Sequence, residues 1–282
     1  MNLRFSTPCA FDEGIAAASF GVSGAPDPTA KTVRSYLYDM DGCFLSGSYA
    51  DILRAAEKGG YQAGIVLLGN AGGEDSFIQA LQQKLGCPLT GGAAAIDPVT
   101  GKSGLIGGGG QAAVWLIRDE RYEVSVISEN IHNILLGEHR IELDAPRVFR
   151  TIDGQDALQW YDARRKELGI STQDFEHLTF SDTLGVNAHM SVENGRLVAG
   201  RDLESIMVLR CVAADNVDRK MGEFYSDETA LIFGCAGLKG ILHQPVMHGG
   251  TGLFMFGEVC TVDGISRFGN LMLSKLCVKP KV

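Results

Sequence analysis

Each half of this chain contains an apolar, strand-like segment that ends in small residues. In the C-terminal half, residues 230–242 read ALIFGCAGLKGIL, and residues 252–276 continue with a Gly-Glu pair and a Gly-Asn pair among further apolar runs. In the N-terminal half, residues 63–73, 89–95 and 110–117 follow the same order. Small residues at strand ends let another backbone or a ligand approach closely. The repetition predicts a duplicated architecture, with small residues gathered where the strands end.

The balance of charge argues against nucleic acid as a partner. The 282 residues include 25 Lys and Arg against 34 Asp and Glu, which gives a net charge of −9. The densest basic run, Arg164-Arg165-Lys166, is too short for the basic footprint that nucleic-acid binding requires. We therefore expect no nucleic-acid partner.

The cysteines and the hydropathy pattern favour a cytoplasmic location. Seven cysteines, an odd number, are scattered through apolar segments, which is typical of reduced, buried thiols. The N-terminus has no apolar run of the kind found in signal peptides, and no stretch of apolar residues is long enough to span a membrane. We therefore expect a cytoplasmic protein without a membrane partner.

Three segments have the pattern of helices. Ser48 and Asp51 have the spacing of a capping box at the start of the first. The second carries its apolar residues on one face and is followed by Gly86 as a stop signal. The third is predicted to begin with Asp153 or Gly154 near its cap. The predicted helices cover residues 48–58, 74–85 and 151–169.

Strands alternate with these helices in both halves of the chain. Asn194-Gly195 between two extended runs is the strongest short hairpin signal. The boundary between two lobes is expected near residues 144–147, ahead of the third helix, so that the lobes cover residues 1–145 and 146–282. We predict an α/β (α+β) fold of two similar, pseudo-duplicated lobes, with mixed or antiparallel sheets flanked by helices.

The first candidate site is the glycine-rich loop of residues 69–73, which connects a strand to a helix. Free N–H groups and the helix dipole at such a position attract carboxylates and phosphates. A tight connection without a ligand has the same composition. The residues with a predicted binding role are Gly69, Asn70, Gly72 and Gly73, together with Gly91 and Gly92.

The second candidate is the segment YLYDMDGCFL at residues 36–45. An apolar strand that ends in Asp-x-Asp-Gly opens haloacid-dehalogenase-type phosphatases, where a nucleophile and a general acid/base surround Mg²⁺. Those two roles would fall on Asp39 and Asp41. The later motif is imitated with Ser181 where Gly is usual and Asn187 where Asp is expected. A β-turn formed by Asp and Gly is the other interpretation. A Mg²⁺-dependent phosphatase is the alternative function.

The third candidate combines Cys235, Glu258 and Asn270, which all stand at predicted strand ends. A thiol, a carboxylate and an amide in one cleft could bind a polar ligand. Catalysis by the thiol would need a base, and the nearest histidines in sequence are His243 and His248. Cys235 can equally be read as a small buried apolar residue. The spacing of these cysteines and histidines matches no tight set of metal ligands, so neither a metal nor a cofactor is predicted.

The same C-terminal segment resembles FIST-domain proteins. Gly234-Cys235, the run GLFMFGE that ends in Gly257-Glu258, and Phe268-Gly269-Asn270 follow the order of that family's C-terminal part. Residues 152–157 look like its Asp-Gly-x-x-Ala helix entry, and residues 89–95 look like its N-terminal Gly-Gly segment. The resemblance covers nearly the whole chain.

This sequence departs from the family pattern at three places. The basic residue after the cysteine is approximated only by Lys239, Gly269 stands where His precedes Asn, and a loop with Pro245 replaces a helix. The resemblance implies a non-catalytic intracellular sensory protein that binds a small molecule such as an amino acid. It also implies a signalling protein as a partner.

We therefore expect a binding cleft between the lobes. The helix N-terminus near Gly73 is expected to take an anionic group and Glu258 a cationic one, a pairing that suits an amino acid or a small carboxylate. A third interpretation is an assembly protein whose glycines serve only packing.

Overall fold

The computed structural model describes residues 40–69, 72–94, 110–171, 178–203, 208–225, 230–241 and 251–281. These residues form three sheets with flanking helices, which confirms the predicted α+β class. The α-helices are α1 (Tyr49–Ala55), α2 (Glu74–Leu85), α3 (Ala157–Glu167) and α4 (Val217–Tyr225), and a 3₁₀ helix covers Ala236–Ile241.

Sheets A and C repeat one strand arrangement. Sheet A contains β1 (Gly42–Ser48), β2 (Ala63–Gly69), β3 (Leu89–Ala94), β4 (Gln111–Ile117), β16 (Glu258–Val262) and β17 (Ile265–Gly269). Sheet C contains β5 (Tyr122–Asn130), β14 (Ala230–Cys235), β15 (Thr251–Met255) and β18 (Met272–Pro280). In sheet A the order is β1-β4-β2-β3-β16-β17, and in sheet C it is β15-β14-β18-β5.

The repeat is centred on β2 in sheet A and on β14 in sheet C. Each of these strands has a parallel neighbour that follows it in sequence, β3 or β15, and an antiparallel neighbour on the other side, β4 or β18. Helix α1 precedes β2 and helix α4 precedes β14. The predicted duplication therefore exists as a repeated topology.

Sheet B is antiparallel. Its strands are β6 (Ile134–Ala145), β7 (Val148–Ile152), β8 (Gln155–Asp156), β9 (Leu178–Ser181), β10 (Asn187–Ala188), β11 (Met190–Glu193), β12 (Arg196–Ala199) and β13 (Val208–Ala213). The order is β10-β9-β13-β6-β7-β12-β11, and β8 pairs with β7. Helix α3 packs on this sheet, where the buried Tyr161 contacts the core around Phe149 and Phe180.

Four layers stack in the order helices, sheet A, sheet C, helices. Alternate residues of a strand face opposite sides of its sheet. Ile65 of β2 therefore packs against Leu231 and Phe233 of sheet C, whereas Val66 faces α1 and α2. On the far side of sheet C, Ile232 packs against α4 and the 3₁₀ helix. This alternation explains why both central strands are apolar at nearly every position.

Strands from both sides of residue 145 occur in all three sheets. The C-terminal strands β16 and β17 extend sheet A beyond β3, β5 lies beside β18 in sheet C, and β6 belongs to sheet B. The division of the sequence into residues 1–145 and 146–282 therefore does not coincide with the division into sheets.

Two of the predicted helices are observed close to their predicted positions. Helix α2 has the predicted bounds, and Gly86 ends it in a left-handed conformation. Helix α1 begins after Ser48, whose side chain accepts a hydrogen bond from the N–H of Asp51 over 3.2 Å. It ends at Ala55, three residues earlier than predicted, because Ala56 is extended.

The prediction of a helix over residues 151–169 was wrong at its start. Asp153 and Gly154 both have positive φ and form the two-residue turn between β7 and β8, which is the geometry of a hairpin. The helix begins at Ala157, and Asp156 caps it by accepting a hydrogen bond from the N–H of Gln159. Asn194-Gly195 forms the predicted hairpin turn between β11 and β12.

Within the residues that the structure describes, no helix combines the length and the apolar character needed to cross a membrane.

Candidate functional site

The N-terminus of α2 is occupied by carboxylates of the chain itself. The N–H of Gly72 donates to Glu74 Oε1 over 2.6 Å, and the N–H of Gly73 donates to Asp202 Oδ2 over 3.0 Å. Arg147 holds both acids, with Nη2 3.1 Å from Glu74 and Nε 2.7 Å from Asp202. The negative charge that a helix N-terminus attracts is therefore supplied internally rather than left for a ligand.

The remaining residues of this glycine-rich loop serve the fold or lie outside the described residues. The carbonyl oxygen of Gly69 accepts a hydrogen bond of 3.0 Å from the Tyr49 hydroxyl. Asn70 lies outside the described residues.

Burial raises the pKa of the Asp202 carboxyl, but its bonds to Arg147 and to the N–H of Gly73 outweigh burial and lower the pKa below its ordinary value. The carboxyl is therefore held in its charged form at the helix N-terminus.

Gly91 and Gly92 allow β3 to approach its neighbours closely. Gly91 has a φ of +135°, and a Cβ there would overlap the carbonyl oxygen of Val66. A Cβ at Gly92 would lie 2.5 Å from the carbonyl oxygen of Gly257. Both glycines therefore have a demonstrable packing role, with Gly92 opposite Glu258 in the ladder.

Glu258, Cys235 and the start of β18 meet at one buried point. Glu258 is the first residue of β16, Cys235 is the last residue of β14, and Met272 is the first residue of β18. The N–H of Met272 donates to Glu258 Oε1 over 2.5 Å. Glu258 is fully shielded from solvent, and no N–H or O–H group of the described residues donates to its Oε2 atom. Cys235 and Glu258, two of the three residues that the sequence groups in one candidate site, therefore lie side by side, and a binding role for them stays a prediction.

Desolvation controls the ionisation of both side chains. Burial raises the pKa of Glu258 well above its ordinary value, and the hydrogen bonds from the N–H of Met272 and from the Cys235 thiol oppose this rise only in part. Burial also raises the pKa of the Cys235 thiol, and the neighbouring Glu258 raises it further. A thiol with a raised pKa is a poor nucleophile, because the thiolate is the reactive form. This geometry therefore gives no support to catalysis by Cys235.

Asn270 connects the end of sheet A to sheet B. It follows β17 directly, and its N–H donates to the carbonyl oxygen of Asn187 over 3.0 Å. Its Oδ1 atom accepts a hydrogen bond of 3.2 Å from the N–H of His189. The side chain also lies against Gly200 and Gly257, where a Cβ would come 2.6 Å from Oδ1 and 3.0 Å from Nδ2 respectively.

The segment from Gly200 to Asp202 links the two groups of predicted site residues. Gly200 contacts Asn270, and Asp202 binds the N–H of Gly73. The segment from Gly200 to Asp202 therefore contacts Asn270 at one end and the N-terminus of α2 at the other.

A buried network of ions lies beside this segment and was not predicted from the sequence. Arg201 is fully shielded and donates from Nη2 to Asp182 Oδ2 over 2.9 Å. Arg267 of β17 donates to Asp75 of α2 from Nε and Nη2, at 2.9 and 2.7 Å, and its Nη1 lies 3.5 Å from Asp182. The one sequence signal was a charged residue, Arg267, inside an apolar strand.

A second buried polar cluster contains two residues of the phosphatase hypothesis. Asn187 and Asn130 exchange two side-chain hydrogen bonds of 2.8 Å, and Ser181 donates to Asn187 Oδ1. Asn187 Nδ2 also lies 3.2 Å from His132 Nδ1. This amide network joins the end of β5 to sheet B.

Asp41 precedes an edge strand. It is exposed, stands directly before β1, and its N–H donates to Asp119 Oδ2 over 3.1 Å. Asp39 lies outside the described residues, so the predicted arrangement of a strand followed by Asp-x-Asp is not tested by the structure. The described part of the chain contains no group of three or more His, Cys, Asp or Glu residues placed to hold a metal ion.

No protein-family model matches this chain, and no curated protein matches it. The resemblance to FIST-domain proteins stays a prediction that depends on the motifs quoted above.

Proposed function

We propose that this protein binds a small molecule and acts as a sensory, signal-transducing protein without catalysis of its own. The observation that supports the proposal best is the buried Oε2 atom of Glu258, which has no hydrogen-bond partner among the described N–H and O–H groups. Buried polar atoms in native proteins are almost always paired, so this one calls for a partner beyond the described residues. A ligand is such a partner.

The proposed ligand is an amino acid or a small carboxylate. The binding residues with the strongest support are Glu258, Cys235 and Asn270, because they lie where strand ends of sheets A and C meet the edge of sheet B. The glycines of residues 69–73, together with Gly91 and Gly92, shape the surroundings of the site in this proposal. A cytoplasmic location and a signalling protein as a further partner belong to the same proposal.

A thermal-shift screen against amino acids and small carboxylates tests the proposal. At a ligand concentration of about 100 times Kd, binding to the folded state alone stabilises it by roughly 2.7 kcal/mol, which is a readily measured rise in Tm. We expect at least one compound to raise the Tm of the wild-type protein. Replacement of the carboxyl group in Glu258→Leu is expected to remove that rise.

Glu223→Gln is the matched control, because Glu223 is exposed and pairs only weakly with Arg219 on the surface of α4. It should respond to the compounds as the wild-type protein does. A screen without any stabilising compound would refute the proposed function. An undiminished response in Glu258→Leu would refute the proposed site.

A further inference from the structure

We infer that Glu258 acts as a hydrogen-bond donor through Oε2–H, so the ligand presents a carboxylate or carbonyl oxygen to it rather than an ammonium group. The inference rests on the proposed function and names the chemistry of that same site. It reverses the role expected from the sequence, where Glu258 was to take a cationic group.

The hydrogen bonds of Glu258 assign a different role to each of its oxygens. Oε1 accepts the N–H of Met272 over 2.5 Å, so Oε1 already acts as an acceptor. Among the described residues, no N–H or O–H group donates to Oε2, and the Cys235 thiol is a further donor beside the carboxyl. A proton on the carboxyl group is therefore placed on Oε2, where it can be donated.

Among the residues that the structure describes, no cation forms an ion pair with Glu258 to balance a carboxylate. The nearby strand β17 and the segment of residues 200–202 do contain ion pairs, formed by Arg267 and Arg201. The strands on either side place Gly92 and Gly269 opposite it. The titratable group that faces it from β14 is the thiol of Cys235, and Cys260 follows on its own strand.

A charged carboxylate in this position would be strongly disfavoured. Burial of an ion without a partner costs several kcal/mol, and buried carboxyl groups avoid this cost by remaining protonated. Burial raises the pKa of Glu258 in agreement with this geometry. Both thiols are also held neutral, since burial raises the pKa of Cys235 and Cys260.

A buried, neutral carboxylic acid selects an acceptor as its partner. An O–H that donates to a carboxylate makes a charge-assisted hydrogen bond, which is stronger than a bond between neutral groups. An ammonium group would gain no charge–charge attraction from a neutral carboxyl group. It would also compete with the N–H of Met272 for Oε1. The site is therefore expected to discriminate between compounds of equal size by the sign of their polar group.

Three compounds of one size test this discrimination: propionate, propionamide and propylammonium. We expect propionate and propionamide to raise the Tm of the wild-type protein and propylammonium to leave it unchanged. Glu258→Gln keeps a donor at this position and should keep propionate binding within a few-fold. Glu258→Leu should lose about tenfold or more in affinity, as expected for the loss of one strong hydrogen bond. Glu223→Gln serves as the control.

Infrared spectroscopy reads the protonation of Glu258 independently of binding. The difference spectrum between the wild-type protein and Glu258→Gln at neutral pH should contain the carbonyl band of a protonated carboxylic acid, and propionate should shift it. If compounds bind but this band is absent, the inference is wrong and the proposed function stands. If the band is present but no compound binds, the proposed function fails and the inference falls with it. Stabilisation by propylammonium alone would also overturn the inference.

Discussion

Arg201 and Asp182 form an ion pair of 2.9 Å in which both side chains are almost completely shielded from solvent. Without Arg201, the buried Asp182 carboxylate keeps only the longer of its described ion pairs, 3.5 Å from Arg267, and breaking a buried pair of this kind typically costs about 3–5 kcal/mol. We expect Arg201→Met to lower the free energy of unfolding by about this amount in urea denaturation. Arg219→Met is the control, because its pair with Glu223 is exposed and contributes less than about 1 kcal/mol. Equal losses in the two variants would contradict a structural role for the buried pair.

Close contact between β2 and β3 depends on Gly91. Gly91→Ala places a methyl group against the Val66 carbonyl and also forces a residue with a side chain to a φ of +135°. We expect this variant to lose more than about 3 kcal/mol of stability or to fail to fold, since the obstacle is backbone that cannot move aside. Gly264→Ala separates the two effects, because Gly264 has a φ of +78° but open space around it. It should cost only about 1–2 kcal/mol. Similar Tm values for the two variants would show that the strand contact is unimportant.

The raised pKa of Glu258 makes stability fall as pH rises. Below the ordinary value of 4.5 both the folded and the unfolded chain hold the proton. Above it the unfolded chain releases the proton while the folded chain keeps it, so the free energy of unfolding falls by up to about 1.4 kcal/mol per pH unit. Glu258→Gln lacks this group. We expect the difference in stability to move in favour of the variant as the pH rises above about 5, as measured by urea denaturation. A constant difference would mean that Glu258 is ionised in the folded protein.

The described cysteines should differ in reactivity according to their burial. Cys43 is partly exposed, whereas Cys87, Cys211, Cys235, Cys260 and Cys277 are buried. Burial raises the pKa of the Cys87 thiol to about 11, and the pKa of Cys235 rises for the same reason. We expect iodoacetamide to label Cys43 in the native protein and Cys235 only after unfolding, as read by peptide mass spectrometry. Fast labelling of Cys235 in the folded state would indicate an activated thiol and would support a catalytic role for it.

Local features of this fold could be predicted because their causes lie within a few residues. The apolar face of α2 and the glycine after it are read directly from the sequence, as is the Asn194-Gly195 turn. Asp153-Gly154 illustrates the limit of this method. The same two residues suit a helix cap or a hairpin turn. The incorporation of β7 into sheet B, where it pairs with β12 from beyond the helix, favours the turn.

The candidate site was predictable only in part, for the same physical reason. Strand ends with small residues indicated that Cys235, Glu258 and Asn270 would converge. The acids that occupy the α2 N-terminus could not be foreseen, because Asp202 and Arg147 lie far from Gly73 in sequence and follow no periodic pattern. A glycine-rich helix start predicts an anion, but it does not say whether the anion comes from a ligand or from the chain.

The pairing of Gly92 with Glu258 determines when sheet A can be completed during synthesis. Until residues 258–262 have emerged from the ribosome, β3 presents a free edge of unpaired N–H and C=O groups to any other extended chain. Contacts of such long sequence separation form slowly and leave the nascent chain prone to aggregation. Sheet A therefore cannot reach its six-stranded form until nearly the whole chain has been synthesised.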